Sequence, residues 1–200
     1  MQRYYHYTNE KNIERILEEG LRPGVEIGHQ TQHNGVICDN TFVYLAKTFE
    51  IFQSGLFNIT KNPSLRLLSV EVPDEHFLER DTDIYLLITG AGFFAGMQLV
   101  RITSLLGVYT TYEEGSKIIS LEKKEQYDSL MQRVDEDDNI KGYMLHMIAT
   151  DGVAVKELLS RATEEKWDQV FGFYRTKQSF PSSAIQRYVP VVQAVSASQS

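Results

Sequence analysis

The chain has 200 residues, 42% of them hydrophobic and 11% aromatic, with one cysteine and a formal net charge of −7. A chain of this length buries a sizeable core in one domain, and its negative charge argues against non-specific binding along a nucleic-acid backbone, which draws on a field of Lys and Arg. Cys38 alone excludes an intrachain disulfide and a cysteine-based zinc site, and no run reaches the ~20 apolar residues of a membrane-spanning helix. The expectation is a cytoplasmic protein, or one delivered as an effector, with no membrane and no disulfide-linked partner.

The opening stretch RYYHYTNEKNIERILEEGLRPG reads as a tyrosine-rich strand over 3–7 and then a helix. Thr8 or Asn9 caps that helix, Ile13, Ile16 and Leu17 share one face through Glu18, and Gly20 ends it. Residues 24–41 lack a sustained period and read as a loop before the strand TFVYLAK. His29 and His33 there have the spacing of two ligands on a helix face, but the surrounding glycines predict a loop and no metal site.

TFEIFQSGLF then reads as a short helix, SLRLLSVEVP as a strand stopped by Pro73, and DIYLLI and GVYTTY as two further strands. Near residues 121–166 the composition turns to Glu, Lys, Gln, Met and Asp around DEDD, which predicts a helical insertion. Strand character returns in QVFGFYRTKQSF, PSSAI is a turn, and RYVPVVQ is a last strand. The small polar residues of 193–200 predict a flexible tail. This order of elements predicts an α+β fold, with one domain over 1–192.

Two stretches carry the patterns of nucleotide chemistry. In IYLLITGAGFFAG a hydrophobic run leads into Gly90, Gly92 and Gly96, similar to the glycine turn that holds a pyrophosphate, with Glu113 or Glu114 where a ribose-binding acid would stand. The chain beyond it lacks the further βα units of such a domain, so a glycine-rich turn or bulge is expected.

The second pattern spans distant parts of the chain. YYHYTNEKNIERILEEGLRPG followed by FVYLAK resembles the ADP-ribosyltransferase superfamily, in particular bacterial members whose first motif reads His-Tyr-Thr. FYRTKQSFPSSAI resembles the segment of their third motif, a strand leading into a turn. The resemblance implies a split β-sheet core, NAD as substrate, and transfer of ADP-ribose to a macromolecular acceptor, protein or nucleic acid, with release of nicotinamide. Carried over by position, His6 would bond the ribose beside nicotinamide, Tyr7 and Thr8 would complete that contact, Tyr44 would stack on nicotinamide, and Gln178 would reach a ribose hydroxyl.

Such a reaction passes through an oxocarbenium-like state, so positioning and charge stabilisation carry the catalysis. Many superfamily members supply a glutamate about eight residues before the turn proline. Here Phe173 occupies that place before Pro181, and no acidic residue follows Asp168 in the segment. Three alternatives stand: an acid from Glu113, Glu114, Glu164 or Glu165, catalysis without one, or a catalytically inactive module that binds NAD or ADP-ribose. The RNA 2′-phosphotransferases of the same superfamily are a further enzyme class, for which Arg3, Arg22 and Arg175 would form a phosphate clamp.

Overall fold

A computed structural model of the chain describes residues 1–30, 32–33, 36–48, 64–86 and 95–188. The fold is α+β, and the contacts divide it into two units. One comprises the described residues of 1–31, 39–79 and 174–200, and the other those of 32–38 and 80–173.

Strand β1 (Gln2–Asn9) opens the first unit. The Asn9 side chain accepts from the Lys11 N–H at 3.1 Å and starts a 3-10 turn, Glu10–Asn12, which runs into helix α1 (Ile13–Glu19). Of the two caps the sequence offers, Asn9 bonds the turn, while the Thr8 hydroxyl accepts from the Asn12 amide. Ile13 and Ile16 point into the core, and the helix stops at Gly20, whose φ of 91° glycine adopts without penalty. Immediately beyond, Leu21 and Phe180 exchange two backbone hydrogen bonds of 2.9 and 2.8 Å. A side chain at Gly20 would collide with the Phe180 carbonyl, so the glycine is required twice.

Strands β2 (Gln32–His33) and β3 (Val36–Ile37) pair with each other in the second unit. Strands β4 (Val43–Ala46), β5 (Leu65–Val72), β6 (Glu79–Arg80), β7 (Phe173–Thr176) and β8 (Ile185–Tyr188) join β1 in a six-stranded antiparallel sheet of order β6–β7–β4–β1–β5–β8. β1 pairs with β5 along its whole length, from Gln2↔Val72 to Asn9↔Leu65. Alternation in β5 sends Leu68, Val70 and Val72 into the core, where Val43, Leu45, Tyr4 and Ile185 are also buried.

The second unit is largely helical: α2 (Ala95–Leu106), α3 (Tyr112–Ile118), α4 (Leu121–Met131), α5 (Asp138–Ala149), α6 (Gly152–Ser160) and α7 (Glu164–Val170). Trp167, Tyr127, Met144, Ile148 and Leu158 are fully buried there, and the Trp167 indole N–H donates to the Phe173 carbonyl at 2.8 Å. Among the described residues, helix is therefore already present at Ala95, before the stretch expected near 121–166, and continues beyond it to Val170.

GVYTTY is not a strand. Thr111 and Glu114 form a reciprocal capping box that starts α3, and this local helix signal overrides the β-propensity of the preceding residues. DIYLLI also differs: the Asp81 carboxylate accepts from the Asp83 N–H and opens a 3-10 turn over Thr82–Ile84, while its last two residues lie outside the described ones. In QVFGFYRTKQSF the first two residues finish α7, and the strand begins only after Gly172. TFEIFQSGLF beyond its first residue, the end of RYVPVVQ and the tail at 193–200 lie outside the described residues. Within the DEDD run, Asp137 caps α5 by accepting from the Asn139 N–H at 2.8 Å.

Asp151 is the most connected of the helix caps. Its buried carboxylate accepts from the N–H groups of Val153 and Ala154 at 2.9 and 3.1 Å, and from that of Ser120 at 2.7 Å, so one side chain starts α6 and fixes the entry to α4. Burial alone would raise its pKa, but the hydrogen bonds from Ser120, Ala154 and Val153 outweigh that and hold it below the ordinary carboxylate value.

Two stability predictions follow from these anchors. Asp151→Ala removes a cap and strands the Ser120 N–H, so urea titration should find a loss of about 2–4 kcal/mol at neutral pH. Because the folded pKa is lowered, this contribution is complete above about pH 4 and disappears as pH falls through the folded value; the gap between wild type and variant should close on acidification. Gly20→Ala should cost more than about 2 kcal/mol in the same assay, from its positive φ and the collision with Phe180.

Candidate functional site

The strand order sets the three motif-bearing stretches side by side. β7, β4 and β1 are consecutive neighbours in the sheet, so the strand carrying His6, the strand carrying Tyr44 and the strand that leads to Gln178 are adjacent. They are far apart in sequence.

His6 lies near the end of β1 and is half-buried. Among the described residues the register between β1 and β4 is fixed at Tyr5↔Ala46. One residue further along β1, the imidazole crosses to β4, with its Nδ1 2.8 Å from the Tyr44 carbonyl. A carbonyl oxygen only accepts, so Nδ1 carries the proton and donates, which leaves Nε2 as a lone-pair acceptor in the neutral ring. Burial lowers the His6 pKa from 6.5, and the Nδ1 bond partly opposes that shift. The neutral tautomer is thus the form this site holds at neutral pH.

Tyr7 lies against His6: the two rings are near-parallel, at 22°, with centroids 6.4 Å apart. Thr8 is turned to Asn12 at the start of the helix, at 3.3 Å.

Tyr44 is half-buried, and its hydroxyl donates to the Asp39 carbonyl at 2.9 Å. The turn at Asp39 is itself pinned, because its carboxylate accepts from the Thr41 N–H at 2.9 Å and the Thr41 hydroxyl at 2.7 Å. These bonds, with the nearby positive charges of Arg175 and Lys177, hold the Asp39 carboxyl below its ordinary pKa. The Arg175 guanidinium lies 4.3 Å and the Lys177 ammonium 5.4 Å from the centroid of the Phe42 ring, packed against an aromatic that neighbours Val43 of β4.

Gln178 is exposed beyond the end of β7, with its backbone N–H donating to the Thr176 hydroxyl at 3.1 Å. The structure brings its segment to the loop after α1 through the Leu21–Phe180 exchange and through a 3.2 Å hydrogen bond from the Ser179 hydroxyl to the Glu26 carboxylate. The sequence did not single out Glu26. Its proximity to the segment comes from a pairing across almost the whole sequence, which no local pattern announces.

The four acids the sequence offers in place of a third-motif glutamate all lie in the second unit, on first turns of helices. Glu114 closes the capping box of α3, Glu113 pairs with Lys117, and Glu164 and Glu165 sit at the start of α7. Helix capping and the positive end of the helix dipole account for them. Arg22 and Arg175, two members of the suggested phosphate clamp, are paired with Glu19 at 2.6 Å and Glu79 at 2.7 Å, and Arg3 is exposed on β1. Gly90 and Gly92 lie outside the described residues, and Gly96 belongs to the first turn of α2.

Among the described residues, no helix is long and apolar enough to cross a membrane, and no three His, Cys, Asp or Glu side chains converge as metal ligands. The chain matches no protein-family model, no curated protein and no solved structure.

The latch between His6 and Tyr44 can be tested without any ligand. His6→Ala leaves the Tyr44 carbonyl without its donor and should cost about 1–2 kcal/mol, part of which His6→Gln recovers by donating from its amide. In the wild type, stability should fall as pH drops from about 6.5 through the lowered folded pKa, because the unfolded chain takes up the proton first. Urea midpoints for wild type and His6→Gln across that range check this; equal slopes would show that the ring does not titrate with a lowered pKa.

Proposed function

We propose that this chain binds NAD and transfers ADP-ribose to a macromolecular acceptor, releasing nicotinamide, as a mono-ADP-ribosyltransferase-like protein. The observation that supports this reading is the adjacency of β1, β4 and β7, with His6 bonded to the backbone of Tyr44.

In this reading the chain's own residues hold the substrate. The Nε2 lone pair of His6 accepts a hydrogen bond from a ribose hydroxyl, a role that a protonated ring would lose. Tyr44, its phenol anchored on Asp39, offers a ring face to the nicotinamide, and an aromatic face favours the positively charged pyridinium. Tyr7 stabilises the His6 ring by stacking, Thr8 supports the first contact, and Gln178 reaches a second ribose hydroxyl. Held in this way, the substrate is clamped on both sides of the bond to be broken, which is where orientation lowers a barrier.

A second reading, a module that binds NAD or ADP-ribose without turnover, is favoured by the uncharged Gln178 in the third-motif segment. For the RNA 2′-phosphotransferase reading, Arg175 is paired with Glu79 and Arg22 with Glu19 through one guanidinium nitrogen, while the buried Arg22 Nε has no hydrogen-bond partner among the described residues.

Nicotinamide release from NAD, measured with cell lysate as the acceptor source, separates these readings. The transferase reading expects release that falls at least about 100-fold in His6→Ala and in Tyr44→Ala, with both variants still folded. NAD binding without release supports the module. Removal of an internal 2′-phosphate from RNA, dependent on NAD, supports the phosphotransferase.

A further inference from the structure

The geometry points to Glu26 as the carboxylate that serves the reaction proposed above, in place of an acid within the third-motif segment; this inference rests on the transferase reading. Glu26 lies in the 3-10 turn Gly24–Ile27, and that turn is attached on two sides. On one side its carboxylate accepts from Ser179, the residue after Gln178, and the Leu21–Phe180 exchange holds the two segments in register. On the other side, the Val25 N–H donates to the Asn40 carbonyl at 2.8 Å, next to the Asp39 carbonyl that anchors the Tyr44 phenol. The turn thus connects the segment of Gln178 with the anchor of Tyr44.

Among the described residues of this unit, several other carboxylates sit in exposed ion pairs. Glu10 is paired with Arg66, Glu14 with Arg187, Glu19 with Arg22, and Glu79 with Arg175. Asp39 accepts twice from Thr41 on one oxygen and has the charges of Arg175 and Lys177 nearby. Glu26 is exposed and bonded to a hydroxyl, which orients a carboxylate without neutralising it.

The chemistry needs such a group. When the bond between the ribosyl C1′ and the nicotinamide nitrogen breaks, its electron pair goes to that nitrogen and neutralises the pyridinium, while positive charge develops over C1′ and the ring oxygen. The acceptor's oxygen or nitrogen then forms the new bond to C1′ and loses a proton. A carboxylate stabilises the developing cation and takes that proton, the division of labour that carboxylates perform in glycosyl transfer. Ser179 is the positioning residue for Glu26.

The test is nicotinamide release and NAD affinity for wild type, Glu26→Gln and Ser179→Ala, with NAD itself as the probe. Glu26→Gln should lower kcat at least about 100-fold while the Kd for NAD stays within about twofold and the melting temperature is unchanged, as expected of an exposed side chain. Ser179→Ala should lower kcat by a smaller factor, about three- to tenfold, the scale of losing one hydrogen bond. Wild-type turnover retained in Glu26→Gln, or a loss confined to Kd, overturns the assignment and leaves the transferase reading standing. Absence of release from the wild type overturns both.

Discussion

A hydrogen bond from the His6 ring reinforces the meeting of β1 and β4. The other edge of β1 is zipped to β5 over its full length by ordinary backbone pairing. Toward β4 the described register is one pair, Tyr5↔Ala46, and the next acceptor along that edge, the Tyr44 carbonyl, is taken by an imidazole N–H. A side chain does there what a peptide N–H does elsewhere in a sheet. The substitution fixes the tautomer of the ring, joins the two motif strands, and leaves the second ring nitrogen as an acceptor.

That arrangement also places the two residues without any hydrogen bond between their side chains. The ring of His6 is referenced to the backbone of Tyr44, while the phenol of Tyr44 is referenced to the backbone of Asp39. Each side chain is held by a main-chain carbonyl, so its position depends on the sheet and the turn rather than on a side-chain pair that could shift together. Backbone references of this kind hold a side chain in one place.

Much of the first unit was legible because its signals are local. The period-2 pattern of LRLLSVEV gives β5, and Asn9 and Gly20 bracket the first helical segment as cap and stop. His6 and Tyr44 stood out as a motif, although only the structure joins them. The helices from Ala95 to Ile118 were the main misreading. The aromatic and β-branched residues of GVYTTY favour strands, yet Thr111 and Glu114 satisfy each other's backbone groups and α3 begins there. Glu26 escaped for a different reason: its relation to Ser179 is made by the Leu21–Phe180 pairing, a non-local contact with no trace in the spacing of either segment.

The Leu21–Phe180 exchange and the β5–β8 pairing also constrain the order in which the protein is built. β1, α1 and β5 leave the ribosome early, but the partners at Phe180 and Ile185–Tyr188 follow only after the entire helical unit has been synthesised. Helices closed by near neighbours form quickly, whereas pairings across so long a separation are slow. Until residues 180–188 arrive, β5 carries an open edge, the kind of surface on which nascent chains aggregate. The helical unit therefore acts as a delay line during synthesis, and the loop that holds Glu26 gains its partner last.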